Sequence, residues 1–198
     1  MVFLIPNEKS SGPDGCSSGF FKATWEDIGP LMCDAIEEFF TTGQLLKDGN
    51  ATNLVVLPKI PHPMTPANFR PISYCTVIYK SISKLLCNRL KKVLPILVNP
   101  SQGAFVQGRE ILYNVLLSQE LARGYNRKNI SLRCIIKIDL KKAYDLVHWE
   151  FLKELLEALR FPTIFIKWIT ACVTTTHYTI TLNGGAAGHF KRGRELRQ

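Results

Sequence analysis

A single carboxylate, Asp139, closes an apolar run that starts near Leu132, and an aromatic, Tyr144, stands a few residues beyond it. Leu132, Cys134, Ile136 and Ile138 alternate with Arg133, Ile135, Lys137 and Asp139. That is the period of a half-buried strand, and it predicts that Asp139 shares a face with Lys137 and Arg133. A carboxylate at the end of such a strand is placed to hold a divalent cation over a cleft. A solvated strand end has the same spacing, and spacing alone favours that plainer reading. Asp145 is not taken as a second ligand. It falls past the strand in a turn, where aspartate serves as a helix cap through the amides of residues 146–149.

The elements that must position these groups can be read from periodicity. Residues 7–19, rich in Ser, Gly, Pro and Asp, read as a loop. From Trp25 to Thr41, the spacing of Ile28, Leu31, Met32, Ala35, Ile36, Phe39 and Phe40 predicts a helix. Asn53–Lys59 reads as a strand. Pro61, Pro63 and Pro66 then impose an extended connector before Phe69–Ser73, so the two segments predict a hairpin with a mobile tip. Tyr74 to Leu94 predicts a second helix that Pro95 stops. Ile111 to Arg123 predicts an amphipathic helix closed by Gly124, and Trp149 to Leu159 and Ile164 to Val173 two more. Tyr178 to Leu182 alternates as a strand, and Asn183-Gly184 is a strong hairpin-turn signal.

With 198 residues the chain can bury a core, as one domain or as two small subdomains. Its formal charge of +9 favours a polyanionic partner such as nucleic acid. The six cysteines form no Cys-x-x-Cys pair and several lie in apolar stretches, which reads as reduced core thiols in an intracellular protein. No run approaches the 18 apolar residues of a membrane span. The opening Met1–Pro6 lacks the basic start and the length of a secretory signal.

The whole run from Ile136 to Trp149, with Asp139, Ala143, Tyr144 and Asp145 inside it, resembles the first catalytic motif of reverse transcriptases of non-LTR (LINE-type) retrotransposons, the plant form in particular. Other segments are similar to that family in the family's order. Lys9-Ser10-Ser11-Gly12-Pro13-Asp14-Gly15 resembles the segment before the fingers. Leu54–Lys59 and Asn68–Ser73 resemble the fingers hairpin. Tyr79–Leu85 and Gln102–Arg109 follow, and Leu196–Gln198 resembles the opening of the second nucleotide-contacting motif. The resemblance implies an α/β (α+β) fold, the fingers and partial palm of a right-hand polymerase. It divides the chain into a pre-fingers segment (1–22), fingers (23–130) and partial palm (131–198). It implies RNA-directed DNA synthesis on an RNA template from a DNA primer, with dNTP substrates and Mg²⁺ as cofactor, and a nuclear location when expressed.

The resemblance also assigns roles. Asp139 is one of three aspartates that hold two metal ions, and the Leu140 carbonyl is a further metal ligand. Ala143 and Tyr144 face the triphosphate through their amides, and the Tyr144 ring excludes a ribose 2′-hydroxyl. Arg70 contacts the nucleotide, and Gln198 lies near its sugar. Lys59 is either a second phosphate contact or surface charge. Arg109 matches a family arginine for which structural and template-contact roles both stand. Lys191, Arg192, Arg194 and Arg197 track a phosphate backbone or are a solvated strand end.

The sequence departs from the family at Glu195, where glycine is usual, at His148, where aspartate precedes the tryptophan, and at Gln107, where proline is usual. It stops before the aromatic-Ala-Asp-Asp hairpin that carries the other two aspartates, and no endonuclease domain precedes Met1. The expectation is therefore a truncated or decayed copy, or an incomplete reading frame, that lacks a full active site. The rival expectation is a catalytically dead remnant that binds nucleic acid.

Overall fold

The computed structural model describes residues 1–123, 125, 134–140, 146–182, 184–191 and 193. They form a mixed α/β fold with two compact units, Met1–Leu86 with Lys142–Gln198, and Cys87–Lys141.

The first unit is built on a four-stranded sheet. β1 (Ala51–Pro58) and β2 (Phe69–Cys75) form the antiparallel hairpin that the proline-rich connector announces. β3 (His177–Leu182) runs parallel to β1, and β4 (Gly185–Lys191) returns antiparallel to β3, giving the order β2-β1-β3-β4. A parallel pair needs a long crossover, and the chain between β1 and β3 supplies it. Gly184, at φ +81, takes the left-handed turn between β3 and β4. Partners in the ladder share a face, so Thr52, Leu54, Cys75 and Tyr178, all buried, line one side of the sheet. Asn53, Val55, Ile72, Tyr74 and Thr179 lie on the other and are only half-buried.

Helices cover the buried side. α1 (Ser18–Ala23) is capped by the Ser17 hydroxyl, which accepts from the Phe20 amide at 3.3 Å. α2 (Trp25–Thr42) follows the predicted spacing, burying Met32 and Phe39, and ends at Gly43 in a left-handed conformation, φ +70. α6 (Thr163–Thr174) finishes that end: Lys167 Nζ donates to the Thr42 carbonyl at 2.7 Å and Trp168 Nε1 to that of Phe40 at 3.1 Å. α3 (Val77–Leu97) starts on Thr76, whose hydroxyl accepts from the Tyr79 amide and donates to the Gly49 carbonyl.

The N-terminal segment is tied down rather than loose. Val2 and Ile5 are buried with Met32 and Val77. Lys22 Nζ donates to the Ile5 carbonyl at 2.6 Å, Lys84 Nζ to that of Leu4 at 2.8 Å, and Lys80 Nζ to that of Ser10. Burial pushes the Lys80 ammonium below its ordinary pKa, and Lys9 nearby adds to the effect. A Cβ at Gly12 would lie 2.6 Å from the Thr76 nitrogen, so glycine lets this loop touch the β2–α3 junction.

The second unit holds the end of α3, α4 (Ile111–Arg123) and the segment 134–140. None of the residues of α4 is buried, and Leu112, Tyr113 and Leu116 are exposed, so its predicted apolar face has no cover among the described residues.

Four expectations are corrected. Residues 134–140 form no strand and are exposed throughout. A strand exists by its ladder, and among the described residues the four strands pair only with one another, so residues 134–140 join none. Pro95 does not stop α3, which runs two residues further. The turn survives because the Val98 amide still donates to the Leu94 carbonyl at 2.9 Å, and Arg109 takes up carbonyls that the last turn leaves open. The N-cap of α5 (Trp149–Ala158) is His148, later in the chain than the cap expected, and residues 146–148 ahead of the helix are non-helical. Cysteines 33, 87 and 134 are exposed, so the core-thiol reading holds for Cys75 and Cys172, which are buried, and not for these three. Gly124, Asp145 and Asn183 lie outside the described residues.

Candidate nucleotide and nucleic-acid site

The β1–β2 hairpin carries the two candidate phosphate contacts at its outer end. Arg70 pairs with Leu57 in the ladder and is exposed. The ladder extends one residue past β1, because the Lys59 amide donates to the Asn68 carbonyl at 2.8 Å. Side chains alternate along a strand, so Lys59 falls on the same face as Leu57 and its partner Arg70. Lys59 Nζ donates to the Ala67 carbonyl at 3.1 Å, which folds the ammonium back over the hairpin end. The structure thus brings Lys59 and Arg70 together. Two cations on one exposed face suit a polyanionic group such as a triphosphate.

Beside them lies a groove of about 640 Å³ that the sequence reading missed. Pro63, Met64, Pro66 and Phe69 from the hairpin end form one wall, and Thr181 and Leu182 beside the β3–β4 turn form the other. Met64 is 88% exposed, so the groove is open. The prolines and the Asn183-Gly184 turn were visible as separate signals. Their adjacency depends on the parallel β1–β3 pairing, which has no local signature.

Asp139 and Leu140 fall in the other compact unit, exposed and outside any helix or strand. Ala143, Tyr144 and Gln198 lie outside the described residues, as do Arg192, Arg194, Glu195 and Arg197. Among the described residues no three His, Cys, Asp or Glu side chains come close enough to hold a metal ion. A two-metal centre needs several carboxylates around the ions, so these residues do not by themselves fit Mg²⁺.

The second open assignment, Arg109, is resolved by its contacts. Its guanidinium donates to four backbone carbonyls: Asn99 at 2.6 Å, Pro95 at 2.8 Å, Val98 at 2.9 Å and Gln102 at 3.0 Å. These are the carbonyls of the α3 C-terminus and the turn after it. Arg109 is therefore a helix-end clamp, and a planar cation with a fork of donors suits that role.

The hairpin with its paired cations, on a mixed sheet backed by helices, has the build of polymerase fingers with part of a palm. The chain belongs to the reverse transcriptase (RNA-dependent DNA polymerase) family, whose model matches residues 57–198. It is 31% identical over 195 residues to the "Transposon TX1 uncharacterized 149 kDa protein" of Xenopus laevis, covering 98% of this chain and 15% of that one. It is 26% identical over 163 residues to the "Retrovirus-related Pol polyprotein from type-1 retrotransposable element R2" of Nasonia vitripennis, covering 81% of this chain and 15% of that protein. The corresponding R2DM polyprotein of Drosophila melanogaster is 23% identical over 189 residues, with 96% and 17% covered. These relatives place the chain with reverse transcriptases of the non-LTR class. The chain spans about one-sixth of the length of these relatives.

Proposed function

We propose that the chain is the fingers and first part of the palm of an RNA-directed DNA polymerase of a LINE-type retroelement. The family match across residues 57–198 is the observation that carries this reading. Residues 1–22 precede the fingers, 23–130 form them, and 131–198 begin the palm. Its partners are an RNA template, a DNA primer and dNTPs, and its place of action is the nucleus. No helix among the described residues is long and apolar enough to cross a membrane.

In this reading Arg70 and Lys59 draw in the triphosphate by charge. The amides of Ala143 and Tyr144 orient it, the Tyr144 ring bars a 2′-hydroxyl, and Gln198 lies by the sugar. Asp139 and the Leu140 carbonyl contribute to a Mg²⁺ site completed by carboxylates other than those described.

The test restores the downstream motif and thumb from a relative and measures dNTP and rNTP incorporation. Asp139→Asn abolishes synthesis and leaves template binding intact. Tyr144→Val admits ribonucleotides. Asp145→Asn does far less than Asp139→Asn, and equal loss from both would overturn the metal assignment.

A further inference from the structure

The unit Cys87–Lys141 holds most of the charge of the chain. By sequence, ten Lys and Arg residues fall in that range against three Asp and Glu, a net of +7 out of the total +9, with Arg127, Lys128, Arg133 and Lys141 outside the described residues. The other 143 residues are nearly neutral. Such concentration is the electrostatic footprint of a phosphate backbone.

In the same unit Phe105 is 91% exposed. Its backbone is left-handed, φ +64, a conformation that bulky side chains rarely take. The surroundings hold it there. Arg109 clamps the turn through four carbonyls, and Val106, the next residue, is buried. Asn114 Nδ2 donates to the Ser101 carbonyl at 3.1 Å, and Gln102 Nε2 to that of Ala104 at 3.2 Å. Gly103 leaves room for the Asn114 amide, which a Cβ would approach to 2.8 Å. A well-braced loop thus spends backbone strain to present an aromatic ring to solvent. Strain of this kind persists where neighbouring contacts over-determine it, and it is common at binding sites.

We propose that Phe105 is a stacking platform for an unpaired base of a single-stranded nucleic acid whose phosphates are held by exposed basic residues of the same unit, Lys91, Lys92, Arg123 and Lys137 among them. Aromatic rings combined with positive charge are how single strands are gripped without reading sequence. A protein surface is the other partner an exposed ring could meet, but it gives no use to a net charge of +7. The inference rests on the reading of the chain as a nucleic-acid polymerase and assigns that reading a residue for its template.

The experiment uses the full 198-residue chain at low salt with two fluorescent probes, a mixed-sequence single-stranded RNA and an abasic strand of equal length. Phe105→Gly relieves the left-handed strain, so its melting temperature holds or rises. Its affinity for the RNA falls about five- to a hundredfold, the range for one lost stack, while the abasic strand binds as before. Phe105→Trp keeps the RNA affinity. Equal loss on both probes, or Phe105→Gly binding RNA as the parent does, overturns the stacking role. Loss of self-association with RNA binding unchanged assigns the ring to a protein contact and also overturns it. Parent protein that binds neither probe refutes the nucleic-acid reading itself, a failure distinct from that of Phe105.

Discussion

Replacing Arg109 by alanine separates a structural arginine from a template contact. The substitution removes the guanidinium hydrogen bonds to the carbonyls of Pro95, Val98, Asn99 and Gln102, of which that of Asn99 keeps the Gln102 amide at 3.0 Å. A hydrogen bond to a charged group is worth about 1.5–3 kcal/mol when its partner is lost. The four share one side chain and the site is only half-buried, so water recovers part of the loss and the contributions do not add. A net cost of about 2–4 kcal/mol follows, equivalent to a fall of about 5–15 °C in melting temperature for a chain of this size. Arg109→Lys, with three donors on one nitrogen, recovers less than half of the loss. Urea and thermal melts measure the total, and amide exchange in residues 98–110 and α4 shows whether the damage is local. A melt unchanged within about 1 °C, combined with weaker RNA binding, would refute the clamp and restore the template contact.

Other consequences follow from single positions. His148 occupies the N-cap of α5 with no side-chain cap bond, so His148→Asp, the residue usual in the family, should raise stability by about 1 kcal/mol, read from urea melts. Gly12→Ala forces a Cβ against the backbone of Cys75 and Thr76. It should cost about 1–3 kcal/mol and expose the first 24 residues to limited proteolysis, and a resistant variant would count against the close packing. Burial, and then Lys191 and Lys47, hold the His177 imidazole below its ordinary value. The unfolded chain therefore binds the extra proton first. The contribution of His177 is complete above pH 6.5 and is lost as pH falls through the lower folded value. His177→Gln should flatten that limb of the stability-pH curve, and an unchanged limb would assign it to other groups.

What the sequence disclosed was local. The β1–β2 hairpin was legible because alternation, prolines and the partner strand lie within 25 residues, and α2 and α6 because their apolar spacing is uninterrupted. The parallel pairing of Thr52 with Tyr178 was not, since either strand fits several neighbours equally well. The end of α3 was misread for a related reason. Proline removes one donor and is a sound stop signal by itself. The carbonyls left open where the helix ends just past it are answered by Arg109, a partner 14 residues beyond Pro95. The same distance hid the role of Arg109: a lone arginine after Gln-Gly has no mark that separates a clamp from a phosphate contact.

The segment 134–140 is the instructive failure, because its composition was read correctly. Ile136 and Ile138 fall on the side expected to be buried, yet they are 76% and 77% exposed, and Ile135 on the opposite side is 64% exposed. An apolar set on one side, with Ile135 alone among charges on the other, describes a half-buried strand that needs a ladder partner and a cover for its apolar side. Without a ladder nothing fixes the direction of the Asp139 carboxylate. If Asp139 is a metal ligand, its affinity for the ion then depends on the pairing of this segment with another strand, since a carboxylate on unpaired chain must be ordered at the moment of binding. Strand formation and metal binding would be one equilibrium: supplying the neighbouring strand should raise Mg²⁺ affinity, and Mg²⁺ should protect the amides of residues 134–140 from exchange. Mg²⁺ that binds the isolated 198-residue chain tightly at Asp139, with those amides still open, would break that coupling.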